Sequence, residues 1–277
     1  MADRPARPAR GPGGAGMTRW AIASAIALAL FLALPLVSVV LRASPARLAA
    51  EIARPVVLEA LTLSLLTTVV ATLLVVALGL PVAWLLATRA FPGKRALEAL
   101  IDLPMVLPPT VAGLALLMAF GRSGIAGGAL HLFGISLPFT TAGVVVAQVF
   151  MAAPFFIAPA RAGFAGVDRA LLDAAATLRA REGFAFRHVV LPLTMRSLLA
   201  GAAMAAARSL GEFGATITFA GNLPGRTQTM PLAVYLALQS DLDAAIVLSV
   251  LLLAMSLGLL FGLRAAGTAA PWSRDHA

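Results

Sequence analysis

The chain has 277 residues, of which 60% are hydrophobic and 12% charged, with a mean hydropathy of +0.94. Water-soluble domains lie nearer about 45–50% apolar and about 25% charged, so a soluble globule is excluded and a polytopic membrane protein is implied. Twenty-one basic residues, all arginine except Lys94, stand against 12 acidic ones for a net charge of +9, and the absence of cysteine excludes disulfides, thiolate metal sites and cysteine nucleophiles.

Residues 1–18, MADRPARPARGPGGAGMT, are Pro, Gly and Arg with almost nothing to bury, which reads as a disordered tail. Trp20 to Leu41 is longer than the apolar core of a cleavable signal peptide, so it reads as an uncleaved first span. A bilayer core of about 30 Å needs about 20 apolar helical residues. That yardstick finds further spans near 60–87, 104–120, 141–160, 196–219 and 244–263, and 266–277 forms a short tail.

The third span opens with IDLPMVLPPT, where Pro104, Pro108 and Pro109 lack N–H groups and crowd the preceding turn. Either a kinked helix entry or broken backbone lining a cavity satisfies that pattern. Gly121 to Gly134 then reads as a loop without periodicity.

Six spans put both termini on one side, and the basic residues decide which side. With the termini in the cytoplasm, fifteen basic residues fall inside, five outside (Arg42, Arg47, Arg54, Arg122, Arg226), and Arg208 within a span. The positive charge is therefore a topology signal, and nucleic acid is not needed to explain it. The expected fold is all-α, with about six transmembrane helices over residues 19–265.

Residues 162–193 are the longest inside segment. Asp168 is placed to cap a helix on which Leu171, Ala175 and Leu178 share a face, and Gly183 is the expected stop. Phe184 and Phe186 offer apolar anchors beside Arg187. Such a piece suits either an anionic lipid surface or a groove on a partner protein.

The stretch DAAATLRAREGFAFRHVVLP, residues 173–192, resembles the cytoplasmic loop of binding-protein-dependent ABC importer permeases. Asp173, Ala174 and Ala175 match the head of that loop motif, and Val189, Leu191 and Pro192 its tail. Arg179 stands where the motif has Gly, and Arg in a left-handed conformation meets a steric penalty that Gly avoids. On this reading Gly183 takes over the break.

A second stretch, RSLGEFGATITFAGNLPGRTQTMPLAVYLALQS (208–240), resembles the molybdate and tungstate permeases of that family, and more distantly its sulfate and thiosulfate permeases. The resemblance implies a type I importer permease in a bacterial inner membrane, dimerised with a second copy around a central pathway. Two separate ATP-binding subunits would carry ATP and Mg and dock on the loop, and a binding protein outside would deliver the oxyanion. The sequence fits that division of labour, because no G-x-x-x-x-G-K-[ST] motif is present. The chain is then expected to be no enzyme and to bind no cofactor or metal itself.

Arg208 and Glu212 are four residues apart on one face of the fifth span. At about 1.5 Å per residue, Arg208 is about 18 Å above Arg196, near mid-bilayer. It is either half of a structural ion pair or a positive charge offered to a passing oxyanion. Thr216, Thr218, Thr227 and Thr229 are either hydroxyl donors to the anion or partners of backbone carbonyls, and GNLPG, with Asn222, is a turn by composition that the resemblance implies is part of the outer gate or a contact for the binding protein. An ion-driven secondary transporter would call for more intramembrane carboxylates than Glu212. An intramembrane enzyme lacks support too, since His131, His188 and His276 are scattered and outside the spans.

Overall fold

A computed structural model describes residues 14–268, so most of the 1–18 tail and the end of the 266–277 tail lie outside the described residues. Among the described residues the regular structure is all helical. α1 (Gly14–Arg42) is apolar on all sides, exposes Trp20, Phe31 and Leu34, and meets the rest of the bundle at the last helix. The short amphipathic α2 (Pro45–Ile52) leads into α3 (Pro55–Thr88).

The expected third span is two helices. α4 (Lys94–Val106) begins well before Pro104, holds that proline inside it, and stops at Leu107; α5 (Pro109–Phe120) starts afresh. Two successive prolines remove the N–H groups that would carry the ladder across. At about 1.5 Å per residue, α5 is too short to cross about 30 Å of hydrocarbon alone. Among the described residues five helices are long and apolar enough to cross a membrane, one fewer than the six spans expected. The loop expected over 121–134 also contains a helical turn, α6 (Gly127–Leu132).

α7 (Thr141–Ala165) is capped by Thr140, whose hydroxyl accepts the N–H of Gly143 at 3.1 Å. α8 (Arg169–Thr177) and α9 (Glu182–Ala185) carry the chain to a π-helical turn, Phe186–Val190, and then α10 (Leu191–Leu210). Pro192 cannot donate to a carbonyl four residues back, and the turn ahead of it is widened, with the N–H of Leu191 reaching the carbonyl of Phe186. The expected fifth span also breaks: α10 stops at Leu210, and α11 (Gly214–Ala220) follows a three-residue interruption. α12 (Met230–Leu238) and α13 (Leu242–Thr268) complete the bundle.

The core is the meeting of α3, α7 and α10, where Val75, Leu86, Phe156, Ala160, Leu198 and Ala205 are buried. Small residues let the backbones approach. A Cβ on Gly79 would stand 2.8 Å from the Phe156 ring, and one on Gly163 2.6 Å from Ser197. A second core joins α5, α7 and α11 through Ala112, Met151, Ala215 and Phe219.

Candidate functional site

Two regions gather the residues singled out in the sequence. The first is the segment from Asp168 to Pro192. Asp168 Oδ1 accepts the N–H of Ala170 at 2.9 Å, the cap expected for α8. Of the face expected to be apolar and shared, Leu178 is 83% exposed and Leu171 44%. It is Leu172 that turns inward against the main core. Asp173 and Ala174 face solvent and Ala175 is half-buried, so α8 presents its motif residues on the surface.

Arg179 ends the helix. Its φ is +56°, and around it the N–H of Ala180 reaches back to the carbonyl of Ala175 at 3.0 Å. This is the six-to-one bond of a Schellman cap, with Arg179 in the left-handed position that Gly usually takes. The expectation that Gly183 supplies the stop is therefore corrected: Gly183 lies inside α9, and a Cβ built there meets nothing within 4 Å. The bond from Ala180 terminates α8 four residues earlier, at a cost of about 1–2 kcal/mol for a side chain in that conformation.

The two phenylalanines part company. Phe184 is 56% exposed and stacks on His188, their ring centroids 4.1 Å apart. Phe186, expected as an outward anchor, anchors the segment to its own bundle. It packs edge-on against Trp84 at 5.1 Å and leans on Phe164 at 6.0 Å, while Trp84 and Phe164 meet at 5.3 Å. Arg89 and Glu182, both exposed, approach to 3.6 Å beside this aromatic joint. Between the joint and α8 runs an apolar cleft of about 560 Å³, lined by Leu80, Pro81, Leu172 and Val190 among others. Val189, Leu191 and Pro192 are half-buried where α10 begins.

The second region is the double break. Glu212 is 1% exposed; its Oε1 accepts the N–H of Ala215 at 2.7 Å and its Oε2 lies 2.5 Å from Arg208 Nη2. The pair expected from the spacing is thus formed, and the carboxylate also holds the first turn of α11. Arg208 keeps 22% of its side chain exposed. It borders a continuous exposed stripe on α10 formed by Leu193, Arg196, Ala200, Met204, Ala207 and Gly211, although the other sides of α10 are packed against α3, α7 and α13.

The four threonines differ. Thr218 donates to the carbonyl of Gly214 at 2.9 Å, and Thr227 accepts the N–H of Leu223 at 2.9 Å, so both serve local backbone. Thr216 and Thr229 are buried, and their hydroxyls have no hydrogen-bond partner among the described residues. Asn222 donates weakly to the carbonyl of Leu232 at 3.4 Å, within a loop turned by Gly221 and Gly225 at φ of +74° and +71°. Thr141 fixes that loop to α7 through the carbonyl of Arg226, and Ser64 fixes it to α3 through the N–H of Met230.

Sequence reading passed over Trp84 and the buried polar residues Ser64, Thr68, Gln148 and Ser209. The available signal was a polar residue inside an otherwise apolar run, as in VVVAQVFM.

Comparison with known proteins adds three findings. Residues 79–266 match the model of the family described as binding-protein-dependent transport system inner membrane component. The molybdenum transport system permease protein ModB of Mycobacterium bovis is 44% identical over 251 residues, 90% of this chain and 94% of that one; its namesake from Escherichia coli is 43% identical over 183 residues, 66% and 80%. Among solved structures, a bacterial ABC transporter involved in the import of alginate superposes with a TM-score of 0.75 over 92% of this chain and 96% of its own, at 12% identity, a likeness of fold alone.

Proposed function

Because this chain belongs to the family of inner-membrane components of binding-protein-dependent transport systems, we propose that it is the membrane subunit through which an ATP-driven importer passes molybdate. The observation that carries the substrate is the likeness, over nine-tenths of the chain, to a molybdenum permease. Tungstate, of the same charge and tetrahedral shape and nearly the same size, is the natural second ion, whereas sulfate shares the charge and shape but is smaller.

The chain is a transport component, and the energy comes from a separate ATPase subunit. We assign the α8 end of the bundle to the cytoplasm, on the fifteen-to-five distribution of basic residues. There α8 exposes Leu178, Asp173 and Ala174 to the ATPase, and Phe186 ties the same segment to Trp84 and Phe164 at the ends of α3 and α7. Force applied at α8 reaches the membrane helices through that packed joint rather than through a flexible linker.

The exposed stripe of α10 faces a second copy of the chain across the pathway. Ala200, Ala207 and Gly211 are small and uncharged, which leaves room for an ion beside them and binds it weakly. Arg208 is the cation beside that stripe, and Glu212 behind it holds the guanidinium in place through Oε2 while its Oε1 accepts the N–H of Ala215. The loop over 221–231, tied to both α3 and α7, forms the outer gate against the binding protein.

The test is uptake of isotopically labelled molybdate into proteoliposomes that hold this chain with its ATPase and binding protein. ATP-dependent uptake, displaced by unlabelled tungstate and poorly by sulfate, is expected. Uptake that sulfate abolishes at equal concentration would reassign the substrate, and uptake driven by an ion gradient without ATP would overturn the reading.

A further inference from the structure

The cleft beside the aromatic joint is apolar at one end and charged at the other. Leu80, Pro81, Trp84, Leu172 and Phe186 line the apolar end, and Thr88, Arg89 and Glu182 the charged end. Pro81 belongs at once to the cleft and to an apolar side of α3 that it forms with Leu74, Leu78 and Leu85, all four exposed. The cleft is therefore continuous with a face of a membrane-spanning helix.

Its level in the bilayer follows from α3. The uncharged run from Ala60 to Thr88, bounded by Glu59 and Arg89, is about 44 Å long at about 1.5 Å per residue. That matches the about 40–45 Å of a bilayer with its headgroups, against about 30 Å for the hydrocarbon alone. Arg89 thus stands among headgroups, and Leu80, about 13 Å deeper, among acyl chains. Trp84 lies between them, where an indole is favoured.

The charged end selects an anion. Arg179, Arg181 and Arg187 are exposed, and each is next in sequence to a residue of the cleft wall. With Arg89 they make four cations, opposed there by Glu182 and Asp173. The approach of Arg89 to Glu182 is 3.6 Å between side chains 65% and 94% exposed, too long and too wet to occupy the guanidinium. Its donors remain available to a phosphate.

We propose that this cleft seats an anionic phospholipid, one acyl chain lying along Leu80, Pro81 and Trp84 and the phosphate on Arg89. At about 560 Å³ the space is of the size that takes a small organic ligand. An ATPase on α8 would leave it open, because Leu172 turns toward the bundle whereas Asp173, Ala174 and Leu178 face outward. The lipid fills the gap between α8 and α3 and braces the joint through which α8 is tied to the membrane helices.

The experiment reads Trp84. With Trp20→Phe and Trp272→Phe it is the only tryptophan of the full chain, and bromine on an acyl chain in contact with it quenches its fluorescence. The chain is placed in phosphatidylcholine vesicles carrying a minor fraction of brominated phosphatidylglycerol or of brominated phosphatidylcholine. The quenching curves should give phosphatidylglycerol an affinity at least about fivefold greater, the worth of one cation at an anionic headgroup. Arg89→Gln should abolish that preference, and Arg95→Gln, a cation on the same side but outside the cleft, should keep it.

Equal affinities, no quenching by either lipid, or a preference that survives Arg89→Gln overturns the proposal. A preference lost equally in Arg95→Gln is the general attraction of a basic surface and overturns it too. Should the substituted chain not insert, native mass spectrometry of the unmodified protein makes the same comparison. Phosphatidylglycerol should then stay bound where phosphatidylcholine is stripped, and equal retention counts against the site.

Discussion

Gly214 of α11 lies directly against Pro109 of α5: a Cβ added to the glycine would stand 2.6 Å from the proline's own Cβ. The two interruptions of the bundle, after Val106 and after Leu210, therefore meet. Each short helix is covered by the other, which is how irregular backbone is tolerated at membrane depth. A proline ring cannot swing aside as a long side chain can. Gly214→Ala is expected to cost about 1–3 kcal/mol through overpacking, read as a lower Tm of the purified chain. Gly183→Ala, in open space, is the control and should leave stability within about 0.5 kcal/mol of the parent.

The cap at Arg179 gives a prediction of opposite sign. Arg179→Gly keeps the six-to-one bond from Ala180 to Ala175 and removes the steric penalty of the left-handed position. Amide exchange at Ala180 should slow by about five- to thirtyfold, the equivalent of about 1–2 kcal/mol. Faster exchange would mean that the arginine side chain contributes more than its conformation costs.

Arg208 and Glu212 should behave as one unit. Arg208→Met leaves a carboxylate of 1% exposure without its cation, and such a change costs about 3–5 kcal/mol. The double variant with Glu212→Gln keeps an oxygen for the Ala215 N–H and removes the stranded charge. It should recover at least about 1 kcal/mol of that loss in thermal unfolding. Transport should stay low in both, because each lacks the cation beside the exposed stripe of α10. Full transport by the double variant would leave the pair a purely structural role.

Much of this was legible in the sequence. Apolar runs located α3, α7 and α13, Asp168 announced the start of α8, and the spacing of Arg208 and Glu212 announced their pairing. What was not legible depended on tertiary contact. Nothing local says that α10 stops at Leu210: Gly211 is tolerated inside many helices, and the stop becomes fixed only when Glu212 takes the Ala215 N–H and Gly214 seats on Pro109. Arg179 was misjudged because propensity argues against arginine at positive φ. Phe186 looked like an outward anchor because an apolar residue in a charged stretch has no partner in the sequence itself; Trp84 and Phe164 lie far away along the chain.

The central claim, that work enters this chain at α8, is tested most directly by one substitution at its most exposed apolar residue, Leu178. In proteoliposomes with the ATPase and binding protein, molybdate uptake and ATP hydrolysis are measured together for the parent and for Leu178→Asp. The substitution alters no packed contact, so insertion and Tm should hold. Uptake per ATP hydrolysed should fall at least about tenfold, since a charge costing about 1.4 kcal/mol or more at the docking contact shifts its occupancy by that factor. Unchanged uptake per ATP in a correctly inserted variant would contradict the account.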